Sequence, residues 1–143
     1  TFRVSWADVD FNGHMRNAAY LDRASDTRML YFDSIGLGVN KLVDMRIGPV
    51  IKEDRIEYFR ELMLIEEFKG THQVAGLAPD CSRYRLRNEF FKLDGALACR
   101  ITSTGGYIHL DKRRLVAPPP DVQEKLRAIA RTQDFEELPT SIK

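Results

Sequence analysis

The stretch W-A-D-V-D-F-N-G-H-M-R-N-A-A-Y, residues 6–20, lies between a strand-like run and a long helical run. It places two carboxylates, two carboxamides and one imidazole within ten residues, Asp8 to Asn17, interrupted by one glycine. A turn from a strand into a helix leaves backbone N–H groups and the positive end of the helix free to face a ligand. We therefore expect most of the chemistry of this chain at this turn.

The residues on either side predict a strand and a helix. Residues 1–7 alternate between apolar and polar side chains, which is typical of a half-buried first strand. Asn17 is a candidate N-cap for a helix that continues to Ile35, and Gly36-Leu37-Gly38 is a strong stop signal. The expected buried stripe of this helix is Tyr20, Ala24, Thr27, Tyr31 and Ile35, widened by Leu21 and by Met29 or Leu30.

The remainder of the chain favours an antiparallel sheet. A connector at about 39–47 precedes strand-like segments at 49–60, 62–76, 82–93 and 96–110. The first of these has a mixed pattern that indicates a bulge or bend, and Gly105-Gly106 suggests another bulge. Asp94-Gly95 suits a hairpin turn of a primed type. The order of one helix followed by consecutive strands predicts an α+β fold in a single domain, residues 1–143.

The C-terminal part is expected to add only a short helix. Three prolines at 118–120 break the strand pattern, and Asp121–Thr132 reads as a helix with one apolar face. The tail beyond it is expected to be loose.

Composition excludes several classes of function. The 22 basic and 21 acidic residues leave almost no net charge, which argues against non-specific nucleic-acid binding. The apolar runs are too short to span a membrane, and no signal peptide is visible, although the chain begins with Thr1. Cys81 and Cys99 lack metal-ligand spacing and lie in strand-like segments, so free thiols in a reducing cytoplasm are expected.

By residue type alone, the turn allows three interpretations. Asp8, Asp10, Asn12 and His14 supply a general base or nucleophile, an amide and an imidazole. The same residue types also form turns that have no other purpose. A metal site is the third interpretation, but no second histidine lies nearby, and we expect none.

The run D-V-D-F-N-G-H-M-R-N-A-A-Y, between a strand that ends in Trp6 and a long helix, resembles the hotdog-fold thioesterases. It is most similar to the 4-hydroxybenzoyl-CoA thioesterase-like group, and its Asp-x-Asn-x-His core also resembles the acyl-ACP thioesterases. The stretch I-E-Y-F-R-E at 56–61 extends the resemblance, as do the strand with Gly105-Gly106 and the residues Asp111, Arg113 and Arg114 after it. The resemblance thus covers nearly the whole chain.

The resemblance implies a five-stranded antiparallel sheet wrapped around one long central helix. It also implies a homodimer with shared active sites, and family members often assemble further into tetramers. Such enzymes hydrolyse acyl thioesters without a metal or an organic cofactor, coenzyme A or acyl carrier protein being part of the substrate. A cytoplasmic enzyme is expected.

Four catalytic residues follow from the resemblance. Asp10 matches the carboxylate that acts as nucleophile or as base for a water molecule, and the sequence does not choose between these roles. Asn12 and His14 match the pair that positions the thioester and the attacking water. Glu61 matches an acidic partner, with Glu57 as the alternative if a bulge shifts the spacing. The two subgroups do not share one catalytic set, so Asp10 alone or all four residues are alternative machineries.

Substrate-binding residues are expected around the same turn. Gly13 lets the backbone approach the thioester, and the N–H groups near Asn17 are the expected oxyanion donors. Tyr20 is either a core residue or a wall of the acyl tunnel. Arg113 and Arg114, with Lys112 beside them, either bind coenzyme A phosphates or form a plain surface run.

Other polar residues are expected to be structural. Asp8 is expected to form the turn or to support it, and no role is assigned to His72 or His109. Arg83, Arg85 and Arg87 share one sheet face, which we expect to be solvated rather than bound to phosphate.

The predicted function is hydrolysis of acyl-CoA or acyl-ACP to a free acid and a thiol. A hotdog hydratase or dehydratase is one alternative, and it would change a double bond instead of releasing a thiol. A non-catalytic hotdog module that binds an acyl thioester is the other, and it would retain ligand without turnover.

Overall fold

The computed structural model describes residues 1–140, so the last three residues of the predicted loose tail lie outside it. Residues 1–140 form six strands, three α-helices and one 3-10 turn. In chain order these are β1 (Phe2–Arg3), the 3-10 turn (Trp6–Asp8), α1 (Asn17–Ser34), α2 (Val39–Asp44), β2 (Ile47–Tyr58), β3 (Glu67–Leu77), β4 (Arg83–Lys92), β5 (Leu97–His109), α3 (Pro120–Arg127) and β6 (Arg131–Glu137).

Five strands form one curled antiparallel sheet in the order β1-β3-β4-β5-β2. Helix α1 packs across it and contacts β3, β4 and β5. The alternation of buried and half-buried residues in β4 shows why: one face of the strand is apolar and needs a cover. The predicted fold class, an antiparallel sheet wrapped around one long helix, is confirmed.

Helix α1 begins and ends close to the predicted residues, but its buried face differs. Arg16, not Asn17, is the N-cap, because Arg16 has extended backbone angles while Asn17 is already helical. Met29 and Leu30 are exposed, at 43% and 64%, so they do not widen the buried stripe as predicted. Arg28 is buried instead. A charged side chain of α1 therefore lies at the centre of the protein, where the prediction placed apolar ones.

The first strand is much shorter than predicted. Ser5 donates hydrogen bonds from its N–H and its hydroxyl to the Asp8 carboxylate, at 3.1 and 2.9 Å, and these bonds close the 3-10 turn. Trp6 therefore lies outside the strand and is 80% exposed. The apolar alternation of residues 1–7 predicted that it would lie on the buried side. The predicted connector also contains the short helix α2.

One hairpin turn and one predicted bulge differ from the prediction. Gly95 has φ +93°, but Asp94 does not have a positive φ, so the β4–β5 hairpin is not of the type I′ that needs both. The register shifts between Ile51 and Glu53, which confirms the bulge predicted in the first long strand. The second predicted bulge, at Gly105-Gly106, is wrong, because both glycines pair in register with β4. Gly105 is needed for close approach instead, because a Cβ there would lie 1.9 Å from the Val50 carbonyl oxygen.

The C-terminal segment forms a strand instead of a loose tail. Helix α3 ends at Arg127 rather than at Thr132, and β6 pairs with β3 in parallel. Arg85 forms an ion pair with Glu136, and Arg87 forms one with Asp134 at 2.9 Å. Arg85 and Arg87 therefore bind β6. The expectation that their face of the sheet is only solvated is wrong for these two residues.

The core consists of two apolar clusters. One packs the N-terminal half of α1 against the sheet through residues such as Tyr20, Phe68, Phe90 and Ile101. The other joins α3 to the far half of the sheet through residues such as Val74, Leu86, Tyr107 and Val122. Between them along β3, β4 and β5 lie the buried polar residues His72, Asn88 and Ser103, with Arg28 of α1 above them.

These four residues form one hydrogen-bonded layer, which we call the polar layer. Arg28 donates from Nε to Asn88 Oδ1 at 2.8 Å and from Nη2 to Ser103 Oγ. Ser103 Oγ in turn donates to Asp54 Oδ1 of β2 at 2.5 Å. Asn88 Nδ2 lies 3.0 Å from His72 Nδ1, which is the acceptor because Asn88 Oδ1 already accepts from Arg28.

No helix within residues 1–140 combines the length and the apolar character that crossing a bilayer requires.

His72 makes the stability of the protein depend on pH. Burial, and secondarily the charge of Arg28, lowers the pKa of His72 from 6.5 to about 4. Below pH 6.5 the unfolded chain binds a proton that the folded protein excludes, so this contribution is present above that pH and is lost as the pH falls toward 4. Between neutral pH and about pH 5 we expect a loss of about 2 kcal/mol in unfolding free energy.

Urea denaturation at the two pH values measures this loss, and His72→Gln is expected to reduce it. His109→Gln is the matched control, because His109 is the last residue of β5 and is only half-buried, outside the core. Equal losses in the native protein and the His72 variant would contradict the assignment.

Candidate active site

The motif loop is a tight hairpin that precedes α1. Val9 and Met15 form an isolated antiparallel bridge, and the Asp10 N–H donates to the His14 carbonyl at 2.9 Å. The Gly13 N–H donates to the Asp10 carbonyl at 3.1 Å. Gly13 has φ +73°, which only glycine adopts without strain, so the residue serves the turn itself. Asp10 and His14 therefore face each other across the hairpin.

The Asp10 carboxylate is exposed, but it is held in place. Its Oδ1 accepts hydrogen bonds from the N–H groups of Asn12 and His14, at 2.9 and 3.1 Å. Among the described residues, Oδ2 accepts no hydrogen bond. One oxygen thus orients the group, and the other can take a proton from water or attack a carbonyl carbon.

The structure brings His14 together with Glu61. His14 Nε2 lies 3.3 Å from Glu61 Oε2. The hairpin is fastened to the segment after β2, because the Met15 N–H donates to the Leu62 carbonyl and the Leu64 N–H donates to the Gly13 carbonyl. This pairing makes Glu61, and not Glu57, the acidic neighbour of the imidazole.

Asp8 holds the loop against α1. The buried Asp8 carboxylate forms an ion pair with Arg23 at 2.6 Å, and Arg23 also binds Asp26. Burial alone would raise the pKa of Asp8, but the hydrogen bonds from Arg23 and Ser5 outweigh it and lower the pKa below the usual value. Asp8 is therefore a structural residue, as its sequence context indicates.

The N-terminus of α1 lies directly after the hairpin. Its first residue is Asn17, and none of the side chains in residues 1–140 caps the first turn. The Arg16 N–H donates to the Asp8 carbonyl at 2.7 Å, which fixes where the helix starts. Helix N–H groups without a capping partner are suited to binding an anion or a developing oxyanion.

The predicted substrate-binding residues have different environments. Asn12 is exposed at the tip of the hairpin. Tyr20 is 3% exposed and packs edge-on against Tyr58, with 5.2 Å between ring centroids, and burial raises its pKa to about 12. Of its two expected positions, the core is therefore the one observed. Its contact with substrate stays a prediction.

Within one chain, Arg113 and Arg114 lie away from the hairpin. They occupy the exposed turn after β5, whose His109 pairs with Ile47 at one end of β2. Glu61 follows Tyr58 at the other end of that strand. A strand of 12 residues spans about 36 Å, so one chain does not bring the arginines to the His14–Glu61 pair.

The sequence interpretation missed two aromatic residues at the site. Trp6 and Phe11 line a shallow depression with Val9, Asp10 and Gly13, and Phe11 is fully exposed. The sequence did contain a signal for this, because Phe11 is a large aromatic side chain inside a polar turn, where it is not needed for a buried core. Exposed apolar residues beside a carboxylate suit an apolar ligand or a second protein surface.

Within residues 1–140 there is no cluster of three or more His, Cys, Asp or Glu side chains arranged to hold a metal ion. Asp8, which the sequence allowed as a ligand, is engaged by Arg23 instead.

Comparisons with known proteins identify the family of this chain and its fold. Residues 4–126 match the family model of the thioesterase-like superfamily, and the chain belongs to this superfamily. The sequence prediction of a hotdog-fold thioester hydrolase is thereby confirmed at the level of the class. No protein of curated function matches the sequence.

Solved structures show the same fold. A hypothetical protein from Staphylococcus aureus, determined in complex with CoA, is 24% identical, with a TM-score of 0.81 over 99% of this chain and 85% of that one. A 1,4-dihydroxy-2-naphthoyl-CoA thioesterase from Synechocystis is 15% identical, with a TM-score of 0.79 over 89% and 93%. YbaW, a probable thioesterase from Escherichia coli, is 20% identical, with a TM-score of 0.74 over 91% and 96%.

The Asp8–Arg23 ion pair is expected to stabilise the site. Asp8→Asn would leave the Arg23 guanidinium only its exposed partner Asp26, so we expect a loss of about 2 kcal/mol in unfolding free energy, measured by urea denaturation. Asp26→Asn is the control, because its side chain is 50% exposed and its loss should be about 0.5 kcal/mol or less. Equal losses in the two variants would show that burial of Asp8 has no special effect.

Proposed function

We propose that the protein hydrolyses acyl-CoA thioesters, with Asp10 as the group that activates or carries out the attack. The supporting observation is the Asp10 carboxylate, which is fixed by two backbone N–H groups yet retains an oxygen without a partner among the described residues. The superfamily supplies the reaction class. The roles of the individual residues belong to the proposal.

Two routes use the same oxygen. As a general base, Asp10 Oδ2 removes a proton from water while the water oxygen adds to the thioester carbonyl, and the C–S bond then breaks to release the thiol. As a nucleophile, Oδ2 adds to the carbonyl carbon, the thiolate leaves, and water hydrolyses the resulting anhydride. Both routes yield a free acid and coenzyme A.

The developing negative charge on the carbonyl oxygen needs preorganised donors. The first N–H groups of α1, beginning at Asn17, have no capping side chain and carry the positive end of the helix dipole. Gly13 adds no Cβ at this place, and a Cβ there would meet no atom within 4 Å, so the space beside the turn is open. We assign the oxyanion to these donors.

His14 and Glu61 serve as a second pair. Glu61 orients the imidazole through the 3.3 Å contact, and the imidazole positions water or supplies a proton to the departing sulfur. Asn12, exposed beside Asp10, positions the thioester through its amide. No metal or organic cofactor takes part in this scheme.

The proposed assembly is a homodimer through β2. This strand is an edge of the sheet, and its middle residues are exposed. Antiparallel pairing of two β2 strands reverses one copy. The turn after β5 that carries Lys112, Arg113 and Arg114, which we call the basic turn, then comes near the hairpin of the other copy. Arg113 and Arg114 would then bind the coenzyme A phosphates beside the catalytic loop. The exposed side chains of Trp6 and Phe11 gain a cover in the same arrangement.

The choice of carrier and compartment also belongs to the proposal. Coenzyme A is supported by the basic turn and by the Staphylococcus aureus neighbour determined with CoA. A cytoplasmic location is supported by Cys81 and Cys99, which are buried free thiols, Cys81 in the turn before β4 rather than in a strand.

The catalytic proposal is tested by thiol release from short, medium, long and aromatic acyl-CoAs. Asp10→Asn keeps an oxygen that can accept the two N–H bonds but removes the charge, so we expect kcat to fall by about 10² or more. Asp22→Asn is the control, because Asp22 is an exposed carboxylate on α1.

Each other result has a definite meaning. Turnover that survives Asp10→Asn would contradict the role of Asp10 and assign the chemistry to His14 and Glu61. A change in a double bond without thiol release would indicate a hydratase or dehydratase. No release from any CoA ester would overturn the proposal in favour of an acyl-ACP substrate or a binding module.

The assembly is tested by light scattering of the protein in solution. The chain has a mass of 16.5 kDa, so the measured mass should be two or four times this value. A monomer at micromolar concentration would contradict the proposed pairing of β2.

A further inference from the structure

A cavity of about 330 Å³ lies between α1, α2 and β2, apart from the hairpin loop. Its wall is mostly apolar and includes Met29, Phe32, Leu42, Val43, Ile51 and Leu86. Tyr84 also lines it, but its hydroxyl already donates to the Val50 carbonyl at 3.0 Å. The volume falls in the range of about 300–1,000 Å³ that is usual for small-molecule sites.

Arg28 is the one charged residue among those that line this cavity. It is 8% exposed, and two of its five N–H groups donate to Asn88 and Ser103 of the polar layer. Within residues 1–140 its nitrogens have no carboxylate oxygen within 4 Å. Asp54 is the nearby acidic residue, but it makes no direct hydrogen bond to the guanidinium, because the Ser103 hydroxyl lies between them.

A guanidinium in this position is poorly compensated. Taking a cation out of water is costly unless an anion or several acceptors replace the solvent. Burial lowers the pKa of Arg28, and the charge of Asp54 opposes that effect without cancelling it. Arginine nevertheless stays protonated in proteins, so the charge persists beside the cavity. The three N–H groups that remain can form a charge-assisted pair with a carboxylate.

We propose that this cavity binds the far end of an acyl group whose thioester lies at the hairpin of the paired copy, and that Arg28 binds a carboxylate there. The cavity includes Ile47 and Gly48, at the end of β2 that the proposed antiparallel pairing brings near the hairpin of the other copy. The preferred substrates are then CoA monothioesters of dicarboxylic acids, whose chain fills the apolar wall and whose terminal carboxylate reaches the guanidinium. This inference rests on the proposed function, because it assigns the substrate class of that reaction. Arg28 is a specificity-determining residue in this scheme and takes no part in bond breaking.

Other occupants fit the cavity less well. A plain alkyl chain would satisfy the apolar wall but would remove the remaining water from Arg28 without replacing it. A coenzyme A phosphate would need several donors, and the lining supplies one cationic side chain. A carboxylate at the end of an apolar chain matches both parts of the lining.

The test compares substrates that differ only at the far end. Adipoyl-CoA is paired with hexanoyl-CoA, and sebacoyl-CoA with decanoyl-CoA, so that two chain lengths are covered. For the native protein we expect kcat/KM to favour the dicarboxylic member of at least one pair by about 10-fold or more. A ratio of one or below in both pairs would overturn the proposal while leaving thioester hydrolysis intact.

The same ratio is then measured in three variants. Arg28→Met keeps a long side chain without the charge, and we expect the preference for the dicarboxylic ester to disappear or reverse. Arg28→Lys keeps the charge without the planar fork, and we expect a reduced preference. Arg114→Met is the control: it should weaken all CoA esters to a similar extent and leave the ratio unchanged, because Arg114 is proposed to bind the carrier.

A binding measurement separates this inference from the proposed function. Calorimetric titration with adipate and with hexanoate, or with sebacate and decanoate, requires no turnover. Tighter binding of the dicarboxylate by the native protein supports the Arg28 site even if no CoA ester is hydrolysed. Equal binding within both pairs overturns it. If Arg28→Met does not fold, the native ratios, the Arg28→Lys variant and the titrations still decide.

Discussion

The hydrogen bonds of the buried Arg28 guanidinium are the constraint on which the rest of the structure depends. They join α1 to β4 through Asn88 and to β5 through Ser103, and the Ser103 hydroxyl extends the connection to β2. The apolar clusters on either side supply most of the free energy of burial. Apolar contacts are non-directional and allow small shifts between elements. A buried charge is instead strongly destabilised when it loses its acceptors. The position of α1 on the sheet is thereby defined. The hairpin that ends at its first turn is defined with it.

Two carboxylates of the motif loop show how environment assigns different tasks to the same chemical group. Asp8 is buried, and one of its oxygens is bound by both Ser5 and Arg23, so its charge holds the loop to the helix. Asp10, two residues further on, is exposed and uses only backbone donors of its own turn. In the first arrangement, hydrogen bonds and an ion pair engage the carboxylate and lower its pKa. In the second, one oxygen has no partner among the described residues and can meet a reactant, which is why the proposed chemistry centres on Asp10.

Sequence reasoning found the elements whose signals are local. The periodicity of α1, the four long strands and the polar loop depend on neighbouring residues, and each lies close to its predicted place. It failed where a distant partner decides the outcome. The segment Arg131–Glu137 has the composition of a loose tail and becomes a strand because Arg85 and Arg87 on β4 bind its acidic residues. The pattern of α1 does not predict a buried Arg28, because its acceptors, Asn88 and Ser103, come from strands that one-dimensional patterns do not align. The roles of Asn12, His14 and Glu61 follow from resemblance, and their geometry alone does not establish them.

The placement of β6 bears on the proposed pairing of two copies through β2. Strands β1 and β6 both pair with β3, at different positions along its length, so one border of the sheet is occupied by short strands. The opposite border, β2, carries a long row of backbone groups that no described strand pairs with. In the pairing proposed for β2, both copies use the same strand, so the association is two-fold symmetric and uses up the long edge of each copy. That pairing would form a closed unit of two chains rather than an open-ended fibre.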